Sequence, residues 1–309
     1  MFEKWCLLLL AVVLSVDSSN AFSLDPLKKK DSPAEDAPEL SRRDILLTVP
    51  IAAGGAVVYG KLLSDATEKL LRGELVYPDD HESRTKSTIA EAVLASIPRE
   101  TKDEGRPLRI LEVGIGKDCR IIRRGLYNDA LAQVSSRGFK DIDLIGVDIA
   151  SPTSAAIDAA KDKLQKKADD VNVSFDFVEG SLTSRLNFQD GYFDCVICAL
   201  TLCSVEDQIT ALNEIKRVLR KDGGSFGYIE HVAVNPDEPY RLLEFQQLAF
   251  DGLQQIVADN CHLHRYTEDS INSVFGVSDG TSRLIASERF LVEGMWPVSC
   301  QTTGVIQLS

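Results

Sequence analysis

The chain has 309 residues, with 47 acidic against 34 basic side chains and a formal charge of −13. That balance excludes a nucleic-acid surface, which draws its affinity from Lys and Arg on phosphates, while the 44% apolar content excludes a disordered chain and suffices for a core. Seven cysteines, odd in number and without framework spacing, read as buried thiols rather than as a disulfide scaffold.

In chain order, residues 1–21 combine Lys4, an apolar run from Cys6 to Val16 and a small-residue stretch ending at Ala21, the pattern of a secretory-type signal peptide. Residues 22–44 are a spacer too polar to fold, and the Ala21-Phe22 junction resembles the bipartite plastid presequences of algae. A second apolar segment, 45–66, follows the Arg42-Arg43 pair, which resembles a twin-arginine export signal. Its apolar run from Ile45 to Tyr59 is shorter than the roughly 20 residues of a spanning helix. Two outcomes stay open: removal near Ser64-Asp65-Ala66, which places the protein in a thylakoid lumen, or retention as a membrane anchor. The segment 67–309 is expected to be the functional domain.

Apolar residues at helical spacing, Ile89, Ala92, Val93 and Ile97, predict a helix over 83–97. Then comes the stretch around which the domain is built. An apolar strand, Leu108 to Val113, runs into the turn Gly114-Ile115-Gly116, and a crossover helix from about Ile121 to Gly138 leads to a second strand ending on Asp148. A carboxylate at the tip of the second strand beside a glycine turn at the tip of the first suits the ribose of a nucleoside-bearing ligand. Cys119 stands where a pyrophosphate-binding Gly-x-Gly-x-x-Gly turn has its third glycine, and Glu112 sits just ahead of the turn, a poor neighbour for phosphates but a good one for a cationic amine or sulfonium. S-adenosylmethionine is therefore preferred to NAD. Glu112, Gly114 and Gly116 resemble the first motif of the class I S-adenosylmethionine-dependent methyltransferases, with Asp118 in place of the third glycine.

Beyond Asp148, Ile149 is placed to pack on adenine, and a helix is predicted from Ser154 to about Lys167. A third strand over 171–178 ends near Ser181-Leu182, at the adenine side. A fourth, Phe193 to Leu200, carries Ala199 at its tip, and its unbroken apolar run fits a strand covered on both faces. A helix over 205–219 and a fifth strand, Ser225 to Val232, complete five strand–helix alternations. These predict an α/β fold: a doubly wound, mostly parallel seven-stranded sheet with an antiparallel edge hairpin and a ligand crevice at the strands' carboxyl ends. Asp194 opens the fourth strand at the opposite end, which suits a structural role.

The residues Cys198 to Val205, Leu212 to Arg220, Gly223-Gly224, Glu230-His231-Val232-Ala233, Cys261 and Gly304 resemble the methyltransferase-like seven family, known as alkyl thiol methyltransferases. The resemblance covers roughly Leu108 to the C-terminus. It implies S-adenosylmethionine as cofactor, a small apolar thiol as acceptor, and the run from Ile45 to Tyr59 as a membrane attachment. A quinone or lipid-like phenol acceptor and a binding protein without catalysis are the alternatives, with a NAD-dependent oxidoreductase behind them.

The expected cofactor contacts are thus Glu112, Gly114, Gly116, Asp148, Ile149, Ser181, Leu182 and Ala199. His231, at the tip of the fifth strand, is the expected base or acceptor contact, with Cys203 lining the same pocket. No metal is expected, since strand geometry separates Cys195 from Cys198 and the run Cys261-His262-Leu263-His264 has no companion pair. A small-molecule acceptor, no nucleic acid and a monomeric state complete the expectations. A long helix from Glu238 to Ala258, apolar at Leu242, Leu243, Phe245, Leu248, Leu253 and Ile256, forms the natural lid together with the segment before Leu108, and two last strands follow around 290–292 and 305–308.

Overall fold

A computed structural model describes residues 60, 61, 65 and 69 and the segments 76–97, 105–165, 171–277 and 280–309. The expectations for the signal peptide, the spacer with its arginine pair and the second apolar run lie outside the described residues. Among those described, no helix is long and apolar enough to cross a membrane.

Helix α1 (Asp79–Ser96) precedes strand β1 (Leu108–Val113). The first crossover is two short helices, α2 (Arg120–Arg123) and α3 (Asn128–Ser136), where the sequence suggested one. The break falls at Gly125, whose φ of 72° lies in the left-handed region that a helix interior does not use. Strand β2 (Asp141–Asp148), helix α4 (Ser154–Gln165), strands β3 (Asn172–Glu179) and β4 (Cys195–Ala199), helix α5 (Gln208–Val218) and strand β5 (Ser225–His231) follow the predicted alternation. Two elements then appear before the final hairpin: α6 (Arg241–Val257) and the unforeseen α7 (Thr267–Phe275). The hairpin is β6 (Ser282–Leu291) and β7 (Cys300–Leu308), longer than the sequence suggested.

The sheet runs β3-β2-β1-β4-β5-β7-β6. The first five strands pair in parallel and β7 joins antiparallel to β5, so the strand order reverses beside β1 and opens a crevice at the carboxyl ends there. Alternation of side chains along each strand sends Ile110 to one layer, packed under α1, α3 and α4, and Leu111 and Val113 to the other, packed under α5 and α7. Tyr228 faces Gly304 across the β5–β7 pair, and a Cβ at Gly304 would fall 2.3 Å from the Tyr228 ring, so only glycine lets that ring cross the sheet.

At the amino ends, Asp194 is clamped by both terminal nitrogens of Arg106 at 2.7 Å, by the Arg109 amide at 3.0 Å and by Arg220 at 3.3 Å. The polar cleft lined by these side chains and Tyr192 lies at the end of the sheet away from the crevice; Arg106 and Arg220 are matched to Asp194, and the Arg109 guanidinium lies 4.3 Å over the Tyr192 ring. It is a structural clamp, as its position at the start of the fourth strand suggested.

Candidate active site at the strand tips

The site is assembled where β1, β2, β4 and β5 end. The Gly114 and Ile115 amides both donate to the Val147 carbonyl, which pins the turn to the end of β2. Gly114 and Gly116 have φ of 69° and 73°, a conformation other residues reach only with strain. Their surroundings differ. A Cβ at Gly114 would fall 1.9 Å from Thr201 Oγ1, so this glycine makes room for the Thr201 side chain, whose hydroxyl donates to the Val113 and Ala199 carbonyls. At Gly116 the nearest group to such a Cβ is Asp118 Oδ1 at 3.7 Å, so the open side of the turn is at Gly116.

Asp148 stands at the tip of β2, and its carboxylate accepts from the Gly116 amide at 2.9 Å and from the Ala150 amide at 3.3 Å. It ties the second strand to the first turn while staying half-buried beside the crevice. Ile149, next to it, is 73% exposed, an apolar side chain held in water with no packing partner to account for it. Ser181 and Leu182 lie after β3, with the Ser181 hydroxyl paired to Thr183 and Leu182 in the core; Ala199 is buried at the end of β4.

Glu112 is the most telling of these residues. Its side chain is 1% exposed and neither carboxylate oxygen has a hydrogen-bond partner. Burial pushes its carboxyl up to about 8, with the nearby Tyr127 hydroxyl and Arg120 pulling it back and Asp118 adding to the rise. Two orphaned buried oxygens at the root of a glycine turn are the fit expected of a place where a cationic amine completes the set. With Asp148 available for sugar hydroxyls and Ile149 bare, these side chains fit an adenosyl sulfonium with an amino-acid head.

A second group lies across the crevice. Glu230, buried in β5, accepts from the Thr201 and Leu202 amides at 2.9 and 3.0 Å and from the Cys198 thiol, fixing the loop after β4. His231, the next residue, is 2% exposed and its Nε2 lies 3.0 Å from the Cys261 sulfur. The Cys261 and Cys203 sulfurs are 3.8 Å apart, and the Gln254 amide donates to Cys261 at 3.3 Å. Contact with the Cys203 thiol, working against burial and helped by His231, lowers Cys261, while that same contact and burial raise Cys203. Burial alone would lower His231, but Cys261 outweighs it and the imidazole is raised.

Between the two groups sits Tyr77, ahead of α1, with the Arg120 guanidinium 4.0 Å over its ring and His81 edge-on at 4.9 Å. Burial raises its hydroxyl, Arg120 pulls it back, and Cys203, Asp118 and Cys261 raise it further, which places Tyr77 next to both the turn and the cysteines. Sequence reading found His231 and Cys203 but missed the partnership with Cys261 and missed Tyr77, His81 and Thr201. In the sequence Cys261 stands in its local run Cys261-His262-Leu263-His264 and in the family resemblance, and neither pairs it with Cys203 or His231.

Residues 124–226 match a family described as "Methyltransferase domain". Over 76 residues the chain is 42% identical to human "Thiol S-methyltransferase TMT1A", covering 25% of this chain and 30% of that protein. Over 88 residues it is 41% identical to human "Thiol S-methyltransferase TMT1B", covering 28% of this chain and 34% of that protein. The chain thus spans about a third of the length of the curated relatives it matches. Among solved structures, a SAM-dependent methyltransferase from Methanosarcina mazei aligns with a TM-score of 0.42 at 18% identity, over 65% of this chain and 92% of the other.

Proposed function

We propose, for a chain that carries a methyltransferase domain on a Rossmann-like sheet, that it transfers the methyl group of S-adenosylmethionine to the sulfur of a small apolar thiol. The observation that carries the reading is Glu112, buried at the root of the glycine turn with no hydrogen bond formed to either carboxylate oxygen and the Tyr127 hydroxyl near it. In it, Glu112 holds the cofactor's ammonium, the Gly116 side of the turn admits its amino-acid part, Asp148 takes the ribose hydroxyls and Ile149 covers the adenine, with Ser181, Leu182 and Ala199 bordering the base. When bound, S-adenosylmethionine supplies an electrophilic methyl on sulfonium, and the protein's share is alignment and exclusion of water. The acceptor end is Cys203, His231 and Cys261, reached beneath Tyr77.

The choice of a thiol is supported by the local identity to two thiol S-methyltransferases and by chemistry. A thiol with a pKa near about 8.5 is already partly ionised at neutral pH. The histidine at the acceptor end, His231, is 2% exposed with its Nε2 3.0 Å from the Cys261 sulfur, so it is engaged by a thiol rather than held open as the base that a phenol with a pKa near about 10 would want. The test is calorimetry of the full chain with S-adenosylmethionine and with NAD, then turnover on small apolar thiols and on phenols. Binding of S-adenosylmethionine and a methyl thioether product are expected. Methylation of phenols in preference to thiols, or binding of NAD instead, would overturn the reading.

A further inference from the structure

Once the cofactor residues are accounted for, one cluster is left with chemistry unspent. Cys203 comes from the loop after β4, His231 from the tip of β5 and Cys261 from the loop after α6. All three are buried, and their donor atoms lie within 4.8 Å of one another. The fold spends three separate elements, with 30 and 58 residues between partners, to bring two sulfurs and one imidazole nitrogen to a point.

The spacing is that of a ligand set. On a tetrahedral zinc ion with bonds of about 2.3 Å to sulfur and about 2.0 Å to nitrogen, two sulfurs sit about 3.8 Å apart and a sulfur and a nitrogen about 3.5 Å. Cys203 and Cys261 already stand at 3.8 Å. The His231 nitrogen, at 3.0 Å from Cys261, needs to open by about half an ångström. Two thiolates cancel the charge of a divalent ion, which suits a dry interior. The Gln254 amide donates to the Cys261 sulfur, as outer groups do to metal-bound thiolates, and the remaining polar atoms around the cluster, His231 Nδ1, Glu230 Oε2 and Gln254 Oε1, are buried without partners. A hydrogen-bonded thiol pair in a closed core leaves no reason for so many unmatched polar atoms in one place.

We propose that Cys203, His231 and Cys261 bind a single Zn²⁺ with three protein ligands, and that the fourth position takes the acceptor's sulfur. Three ligands and an open position are the catalytic form of a zinc site, and soft sulfur is the donor that a site with two cysteines favours. The inference rests on the thiol-methylation reading and gives it a mechanism. The acceptor thiol loses its proton to solvent as its sulfur binds the ion as a thiolate. A sulfur lone pair then forms the bond to the methyl carbon while the carbon–sulfonium bond breaks, leaving the cofactor as a neutral thioether. The methylated acceptor, now itself a neutral thioether, is a weaker ligand and departs.

The test uses the full chain, stripped with a chelator and titrated with Zn²⁺ and, separately, with Co²⁺ as a coloured substitute. One equivalent of metal is expected, with sulfur-to-cobalt charge-transfer absorption and tetrahedral ligand-field bands that shift when a small thiol is added. Cys203→Ser and Cys261→Ser should each weaken binding by more than about 100-fold, whereas Cys300→Ser, outside the cluster, should keep it. Calorimetry with S-adenosylmethionine on the same samples reports cofactor binding independently of the metal, so failure of the methyltransferase reading is seen separately. A protein that binds S-adenosylmethionine but takes up no stoichiometric Co²⁺, or one whose Cys203 and Cys261 are found joined as a disulfide in the presence of Zn²⁺, would overturn the proposal. A cobalt spectrum indifferent to added thiols would overturn the acceptor's place at the fourth position.

Discussion

At the scale of single residues, Glu112 shows how burial changes an ordinary carboxyl. Burial raises its carboxyl from 4.5 to about 8, so the folded chain holds a proton there that the unfolded chain releases at the lower value. Between these two values the folded state binds more protons, and raising the pH from 4.5 through 8 therefore favours unfolding of the ligand-free protein. A cationic ligand needs the carboxylate and must displace that proton; the Tyr127 hydroxyl and Arg120, which face the group, favour the charged form, and Asp118 opposes it. Affinity for S-adenosylmethionine is expected to rise with pH, by up to about tenfold per unit, and to level off above 8. Calorimetry across that range should show the rise for the native chain and a weaker, flatter dependence for Glu112→Gln; identical pH profiles would remove Glu112 from the cofactor's amino group. The glutamate's place in the turn is legible in the sequence, whereas its burial with no hydrogen bond formed to either oxygen is a fact of packing.

Among the elements, α6 carries the sharpest difference between pattern and structure. Its apolar residues Leu242, Phe245, Leu248 and Ile256, which a helical reading turns inward, are 55–70% exposed. The inward face is largely polar, with Leu243 packed against Val232, Val234 and Cys300. Gln247, fully buried, accepts from the Val234 amide at 2.9 Å and donates to the Val232 carbonyl at 3.0 Å. Asp251 accepts from the Leu263 and His264 amides, and Gln254 reaches Cys261. The helix docks on irregular backbone beyond β5, whose amides and carbonyls need partners that leucine does not have. Gln247→Leu is expected to lower stability by about 1–3 kcal/mol in denaturant unfolding, and Leu242→Gln by less than about 0.5 kcal/mol. Equal losses would mean that the apolar face is the packed one. The edge strand β6 was partly hidden for a related reason: Arg283, Ser287, Glu288 and Arg289 interrupt its alternation, as charges on a sheet edge do, and the register shifts between Leu284 and Ala286.

For the whole molecule, the two ends of the sheet divide the work. The carboxyl ends hold the orphaned carboxylate and the sulfur cluster, while the amino ends are fastened by Asp194, which is 2% exposed, to Arg106 and Arg220. Asp194→Ala strips two guanidiniums of a shared carboxylate. Because both arginines are partly solvated, a loss of about 2–3 kcal/mol in chemical unfolding is expected, with affinity for S-adenosylmethionine unchanged in the folded protein. A lowered affinity at full folding would tie the clamp to the crevice. The parallel sheet was legible because its signals are local: apolar runs with turns between them, a glycine turn, an acid at the end of β2. The sequence by itself determined the layered α/β scaffold and the glycine turn facing an acid at the end of β2, since backbone pairing and side-chain alternation dictate both from neighbouring residues. What only the tertiary structure decided is which distant groups meet, with Cys261 carried from beyond α6 to Cys203 and His231, Thr201 laid against Gly114, and Tyr77 set over both halves of the site. Those meetings depend on how helices outside the repeating pattern settle on the strand tips, which no periodicity along the chain encodes.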